Sequence, residues 1–150
     1  MVNRELRQNN ISYSRMKQKN GDWYMKKIMM VDDEADLTNT FKILFEELQG
    51  NQYQFLKANS GLECLDLLKN NQIPDVILLD IKMPGISGWE TYFRIKENLL
   101  WKKIPIIFLT ARKDETARHT GSFLGEDFIE KPVELGELIY KIEKVIAKQQ

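Results

Sequence analysis

The chain has 150 residues, 43% of them hydrophobic, which is enough for one domain with a core of its own. Acidic and basic residues balance at 22 each, but residues 1–27 carry a net charge of +5, so the remainder is acidic and is expected to repel nucleic acid. A single cysteine, Cys64, excludes an internal disulfide, and the lack of a bilayer-spanning apolar run or signal-peptide pattern predicts a cytoplasmic protein without a membrane partner.

Residues 1–24 are predicted to form a flexible basic extension. Asn, Gln, Lys and Arg dominate there, and no apolar period is sustained. The pair Asn20-Gly21 is a turn signal. A basic arm that binds nucleic acid or a partner stays open as an alternative, and Trp23 could pack back on the domain. The domain itself is predicted over residues 25–150.

From Lys26 onward, strand and helix patterns alternate. Short apolar runs predict five strands, over residues 28–31, 53–58, 75–79, 104–109 and 127–130. The second is the least apolar and is expected at the edge of the sheet. Apolar residues at helical spacing predict five helices, over residues 37–50, 61–70, 89–100, 114–123 and 135–146, and we interpret their apolar stripes as core. Strict alternation predicts a doubly wound α/β fold with a parallel sheet and right-handed crossovers.

Polar residues stand where four of these strands end. They are Asp32 and Asp33 after the first strand, Asp80 after the third, Thr110 after the fourth and Lys131 after the fifth. Parallel strands end at the same side of a sheet, so we expect these five side chains to lie close together.

This set of side chains suits phosphoryl transfer to Asp80. Three carboxylates repel one another, and a hard divalent cation with oxygen ligands relieves that repulsion. With Lys131 the group carries a charge of −2, which one Mg²⁺ neutralises. The Lys131 ammonium and the Thr110 hydroxyl are donors for the remaining oxygens of a phosphoryl group.

Four motifs carry a resemblance to a known family. They are Asp32-Asp33, residues 80–88 (Asp-Ile-Lys-Met-Pro-Gly-Ile-Ser-Gly), Leu109-Thr110-Ala111 and residues 128–132 (Phe-Ile-Glu-Lys-Pro). Over residues 26–148 the chain resembles the receiver domain of two-component response regulators. The resemblance implies a flavodoxin-like (βα)5 fold with strand order 2-1-3-4-5.

The resemblance also implies a role for each site residue. Asp80 would accept a phosphoryl group from the histidine of a sensor kinase or phosphotransfer protein. Asp33, Asp80 and the backbone carbonyl of Lys82 would hold Mg²⁺, with Asp32 acting mainly through metal-bound water. Such a domain promotes only its own phosphorylation and dephosphorylation.

The resemblance implies a switch as well. Thr110 and Phe128 would be the switch pair, and Lys131 the cation that senses the phosphate. The output surface would comprise the fourth helix, fifth strand and fifth helix, facing a downstream protein or a second copy. The stretch between Thr110 and Lys131 is one residue shorter than the family pattern, and Gly125 lies one place nearer Phe128, so this surface is expected to be unusual.

Two rival interpretations are considered. A haloacid-dehalogenase-type phosphatase would place its nucleophile at Asp32 and a second aspartate two places on, where this chain has Glu34. A flavodoxin-like nucleotide binder needs donors after the first strand, and the acidic run there offers acceptors only, so it is rejected.

Three further residues receive structural interpretations. Glu34 is read as a first-turn helix charge, Cys64 as a small core residue and His119 as a solvated surface residue. No effector domain follows the last predicted helix. The chain is therefore expected either to act alone or to be cut from a longer regulator.

Overall fold

The computed structural model describes residues 16–19, 22–48, 52–111, 115–124 and 126–149. The strands are β1 (Met16–Lys19), β2 (Asp22–Val31), β3 (Tyr53–Ala58), β4 (Val76–Asp80), β5 (Ile106–Thr110) and β6 (Asp127–Glu130). The helices are α1 (Ala35–Ile43, continued by a π-helical segment, Leu44–Leu48), α2 (Gly61–Lys69), α3 (Gly88–Glu97), α4 (Glu115–Phe123) and α5 (Leu135–Ala147).

Five of the strands form a parallel sheet in the order β3-β2-β4-β5-β6. Counting only the five strands predicted from the sequence, this is the flavodoxin-like order 2-1-3-4-5, which is therefore confirmed. Strand β3 pairs with β2 alone among the described strands, so its predicted position at the sheet edge is also confirmed. We call the side where the parallel strands begin the amino end of the sheet, and the side where they finish the carboxyl end.

Both faces of the sheet are covered by helices. Strands β4 and β5 are buried along their whole length, as expected for central strands with apolar residues on both faces. One face packs under α2 and α3 through Met29, Ile77, Phe108, Leu65 and Ile95. The other packs under α1 and α5 through Ile28, Leu78, Phe41, Phe45 and Ile142. The buried Cys64 belongs to the first of these cores, as predicted.

The start of the first predicted strand was placed too late. The sequence analysis began it at Ile28, whereas β2 begins at Asp22, and its first four residues pair antiparallel with β1 in the register Met16 to Met25. The predicted boundary at residue 24 therefore falls inside a strand, and residues 1–15 lie outside the described part. The Asn20-Gly21 pair between the two strands is a common hairpin signal, which the sequence analysis used only as a turn.

The end of the third predicted helix was placed too far along the chain. Helix α3 ends at Glu97, and the following Asn98 has an extended conformation with ψ 124°. The Asn98 side-chain oxygen accepts a hydrogen bond from the Leu100 N–H at 2.8 Å, a local alternative to continuing the helix. Leu99 and Leu100 are consequently exposed, and their assignment to the apolar core was wrong.

A buried cation fastens α5 to the amino end of the sheet. Lys26 of β2 is 3% exposed, and its Nζ atom lies 2.6 Å from a carboxylate oxygen of Glu143 in α5. The other Glu143 oxygen accepts a hydrogen bond from the Tyr53 hydroxyl of β3. We call these three residues the α5 anchor. Because both carboxylate oxygens have partners, the buried charges of the anchor are compensated.

Candidate functional site

The side chains predicted to act together lie at the carboxyl end of the sheet. Asp32 directly follows β2, and Asp80 is the last residue of β4. Thr110 is the last residue of β5, and Lys131 directly follows β6. Since these strands are parallel neighbours, the sheet topology alone brings the residues to one place.

Three carboxylates form the centre of the site. One oxygen atom from each of Asp32, Asp33 and Asp80 lies within 4.8 Å of the others. Asp32 is fully buried and Asp80 is 6% exposed, whereas Asp33 is exposed. The carboxylates of Asp32 and Asp80 are therefore shielded from water, and that of Asp33 is open to solvent.

Lys131 is the cation of the site. Its Nζ atom lies 2.7 Å from an Asp32 oxygen, 3.5 Å from an Asp80 oxygen and 3.3 Å from an oxygen of Glu34. The Glu34 contact was missed in the sequence analysis, which assigned this residue only a favourable position in the first helical turn. Its position directly after the acidic pair was the available signal.

Burial and neighbouring charges shift the pKa values of Asp80 and Lys131. The pKa of Asp80 is raised to about 7, first by burial and then by the charge of Asp32, while Lys131 acts in the opposite direction and Asp33 adds to the rise. Burial alone would lower the pKa of Lys131, but the hydrogen bond with Asp32 and the charge of Asp80 raise it above its usual value. Lys131 therefore stays charged at neutral pH.

The raised pKa of Asp80 makes the metal-free protein sensitive to pH. An unfolded aspartate titrates near pH 4, so the folded state binds an extra proton between about pH 4 and 7. The contribution of Asp80 to stability is therefore greatest below about pH 4 and is lost as the pH rises through 7. In urea unfolding with a chelator at pH 8, we expect Asp80→Asn to be more stable than the wild type by roughly 1–3 kcal/mol.

The same comparison at about pH 4 should show little difference, because the aspartate is then protonated in the folded state and resembles asparagine. Asp36→Asn, at an exposed position in the first turn of α1, is the control. If the stability curves of the wild type and Asp80→Asn run parallel from about pH 4 to 8, the carboxylate of Asp80 is not strained by its neighbours.

Thr110 supplies a buried hydroxyl. The residue is 1% exposed, and its Oγ1 atom has no hydrogen-bond partner among the described residues. Its backbone carbonyl accepts a hydrogen bond from the Lys131 N–H at 2.8 Å, which holds the ends of β5 and β6 together. A buried hydroxyl without a partner is costly, so a ligand oxygen at this position would be favoured.

A cleft of about 280 Å³ opens over the site. It is lined by Asp33, Glu34, Asp80, Ile81, Lys82, Ala111 and Lys131. Lys82, whose backbone carbonyl was predicted to bind the metal, thus borders the same cleft as Asp33 and Asp80. The volume is sufficient for a phosphoryl group and a hydrated ion.

Comparison with known families identifies the kind of domain. The family model described as the response regulator receiver domain matches residues 28–143. The chain belongs to this family. The match spans the acidic pair, Asp80, Thr110 and Lys131, so the receiver interpretation made from the sequence is confirmed, and the phosphatase alternative has no support.

Two similar proteins differ in how much of their length the match covers. The receiver domain is 36% identical over 125 residues to the transcriptional regulatory protein CpxR homolog of Haemophilus influenzae, covering 83% of this chain and 52% of that protein. It is 33% identical over 124 residues to protein PilH of Pseudomonas aeruginosa, covering 82% of this chain and 99% of PilH. The chain thus spans about half the length of the first of these relatives and nearly all of the second.

Solved structures show the same architecture. A putative response regulator from Chloroflexus aurantiacus superposes with a TM-score of 0.73 at 31% identity, covering 83% of this chain and 99% of the other. This receiver domain is therefore a two-component signalling domain with the ordinary arrangement of its five parallel strands.

Phe128, the predicted switch partner of Thr110, lies on β6 and is partly buried against the α2–α3 core. Its ring centroid is 5.8 Å from the guanidinium carbon of Arg118 in α4 and 5.6 Å from Nζ of Lys141 in α5. Lys141 also donates to the Phe128 carbonyl at 2.6 Å. The ring therefore has a cation from each neighbouring helix against it.

The donor set of the receiver domain fits Mg²⁺. Asp32, Asp33 and Asp80 offer only oxygen atoms, which this hard cation prefers, and their close approach concentrates negative charge beside Lys131. The pKa of Asp80 is raised first by burial and then by the charge of Asp32, so part of the rise reflects this concentration of negative charge. His119, on exposed α4 surface as predicted, takes no part in the cluster.

Proposed function

We propose that Asp80 is the phosphoacceptor of this receiver domain. An Asp80 oxygen would attack the phosphorus of a phosphohistidine on a sensor kinase or phosphotransfer protein. The phosphorus–nitrogen bond breaks, the imidazole leaves, and an acyl phosphate forms on Asp80. The observation that carries the proposal is the desolvated Asp80 carboxylate 3.5 Å from the Lys131 ammonium, with a Thr110 hydroxyl that has no described partner at the end of the neighbouring strand β5.

We further propose that Asp33, Asp80 and the Lys82 carbonyl hold Mg²⁺, with Asp32 as an additional carboxylate beside it. Mg²⁺ supplies positive charge that allows an anionic phosphate to approach an anionic carboxylate. Lys131 would then exchange part of its contact with the aspartates for the new phosphate oxygens. Apart from its own phosphorylation and dephosphorylation, no reaction is proposed for the domain, which we place in the cytoplasm.

Incubation with acetyl phosphate tests this function. With MgCl₂ the wild type should gain one acid-stable, base-labile phosphoryl group by intact mass, and with a chelator it should gain none. Asp33→Ala should weaken Mg²⁺ binding, measured by calorimetry, by at least about tenfold and slow phosphorylation in parallel. The metal-free variant should be at least as stable as the wild type, because one repelling charge is gone.

Asp36→Ala is the matched control, since it removes an exposed carboxylate of the same chemistry three residues away from Asp33. An unchanged Mg²⁺ affinity in Asp33→Ala would show that the metal binds elsewhere. Phosphorylation of the wild type that proceeds equally well in chelator would contradict the role of the metal altogether.

Readout of the phosphoryl group is proposed to pass through Thr110. The modification changes a charge of −1 into one near −2 and adds acceptor oxygens, toward which the Thr110 hydroxyl can turn. Movement of Thr110 frees space beside β6 for the Phe128 ring. The surface formed by α4, β6 and α5 would then bind a downstream protein or a second copy.

An NMR comparison with and without beryllofluoride, a phosphate mimic, tests the readout. We expect shifts in the Asp80 pocket and also across residues 115–140. In Thr110→Val, which keeps the shape but lacks the hydroxyl, the pocket shifts should remain and those of residues 115–140 should shrink. Wild-type shifts confined to the pocket would show that this switch does not operate here.

A further inference from the structure

The loop between α3 and β5 displays two leucines at the amino end of the sheet, opposite the phosphorylation site. Leu99 is 79% exposed and Leu100 is 84% exposed, the highest values among the exposed large hydrophobic side chains of the described residues. Met25 in β2 and Ile73 before β4, at 39% and 37% exposed, lie at the same end. Exposed apolar side chains that lie together are typical of an interaction site.

The loop holds the leucines outward by its own construction. Trp101 and Ile104 are buried in the core at 8% and 6% exposed, so the chain is fixed directly after the leucines. The Asn98 carbonyl accepts hydrogen bonds from the N–H groups of Trp101 and Lys102, at 3.2 and 2.9 Å. Lys96 of α3 donates to the carbonyls of Lys102 and Ile104. Leu99 and Leu100 therefore stand on a closed, anchored turn.

Two exposed lysines lie close to the leucines on the same loop. Lys102 and Lys103 follow the leucines after the buried Trp101. The carboxylate cluster of the candidate site lies at the other end of the sheet. The loop thus carries two apolar and two basic side chains together.

We propose that the amino end of the sheet docks on the surface of an anionic lipid bilayer. Leu99 and Leu100 would enter the boundary between headgroups and acyl chains, and Lys102 and Lys103 would contact the anionic headgroups. Both leucines are exposed over more than three quarters of their surface, which suits insertion into a lipid layer better than contact with one side of a folded partner. Nucleic acid would bind the lysines through its phosphates but would gain little affinity from contact with two leucines.

This inference goes beyond the proposed function and does not depend on it. It also revises the expectation of no membrane partner, which rested on the absence of a spanning segment. No helix among the described residues is long and apolar enough to cross a bilayer, but docking on its surface requires none. In the proposed orientation, Asp80 faces away from the lipid and stays accessible to a kinase.

Vesicle sedimentation with the full chain tests the proposal. The wild type should bind phosphatidylcholine vesicles that contain phosphatidylglycerol and bind pure phosphatidylcholine vesicles much less. Leu99→Ser/Leu100→Ser should lower the partition coefficient about tenfold, through loss of partial apolar burial. Lys102→Gln/Lys103→Gln should lower the partition coefficient by a similar factor, and added salt should weaken vesicle binding by the wild type.

Two controls match these variants at the carboxyl end of the sheet. Leu62→Ser removes a leucine that is 54% exposed in the first turn of α2, and Lys57→Gln removes an exposed lysine at the end of β3. Both should bind vesicles like the wild type. Equal wild-type binding to neutral and anionic vesicles, or unchanged binding by the leucine variant, would overturn the proposal. Binding to duplex DNA without vesicle binding would do the same and would assign Lys102 and Lys103 to nucleic acid.

Discussion

Asp80→Asn is expected to reduce labelling by acetyl phosphate to background in the presence of MgCl₂. Asparagine has the shape of aspartate, so the contacts around β4 remain, but its amide does not attack phosphorus. The wild-type carboxylate is at the end of β4, 3.5 Å from Lys131, and the buried Thr110 ends the neighbouring strand β5. Intact mass and peptide mapping measure the result.

Asp32→Asn separates this prediction from the phosphatase interpretation. Asp32 is fully buried and paired with Lys131, so its variant should still be labelled at Asp80, though more slowly. Asp36→Asn should be labelled like the wild type. Labelling that persists in Asp80→Asn but disappears in Asp32→Asn would place the nucleophile after β2 and would sink the assignment.

Gly88→Ala is expected to lower the free energy of unfolding by about 3 kcal/mol or more. Gly88 opens α3, and its N–H donates to the Ile81 carbonyl at 2.8 Å. A Cβ atom there would lie 2.1 Å from the Asp80 carbonyl oxygen and 2.7 Å from the Ile81 Cα. Both are backbone atoms, which cannot move aside as a flexible side chain can. The start of α3 would have to move away from the phosphorylation site.

Gly136→Ala is the matched control, with an expected effect of opposite sign. In α5 the added Cβ would meet only a side-chain oxygen of Glu134 at 3.6 Å. Alanine is the better helix former, so we expect a gain of about 0.5–1 kcal/mol. Urea unfolding of the two variants measures both effects. A loss below about 1 kcal/mol in Gly88→Ala would mean that this close approach relaxes freely.

The site was predictable because its residues stand at strand ends. Once five short apolar runs predict a parallel sheet, topology brings Asp32, Asp80, Thr110 and Lys131 together without any knowledge of their side-chain contacts. The contact of Glu34 with Lys131 was not predictable in this way. It depends on a side-chain conformation directly after β2, where a first-turn helix charge was an equally good interpretation.

The errors in the fold arise where local hydrogen bonding overrides periodicity. Leu99 and Leu100 continue the apolar spacing of α3, but the Asn98 side chain ends the helix and turns them into solvent. The extra length of β2 depends on pairing with β1, whose sequence from Met16 to Lys19 is too polar to be recognised as a strand. Neither feature follows from hydrophobic pattern alone.

The α5 anchor implies that the two helices of the proposed output surface are held with unequal firmness. Helix α5 is tied to β2 and β3 by the Lys26–Glu143–Tyr53 contacts and buries Leu138, Ile142 and Ile146, whereas the buried side chain among those described in α4 is Ala117. A displacement that starts at Thr110 would therefore move α4 more readily than the firmly packed α5. Partners of the phosphorylated state would recognise a repositioned α4 against an unmoved α5, and the largest shifts in the beryllofluoride experiment should fall on α4.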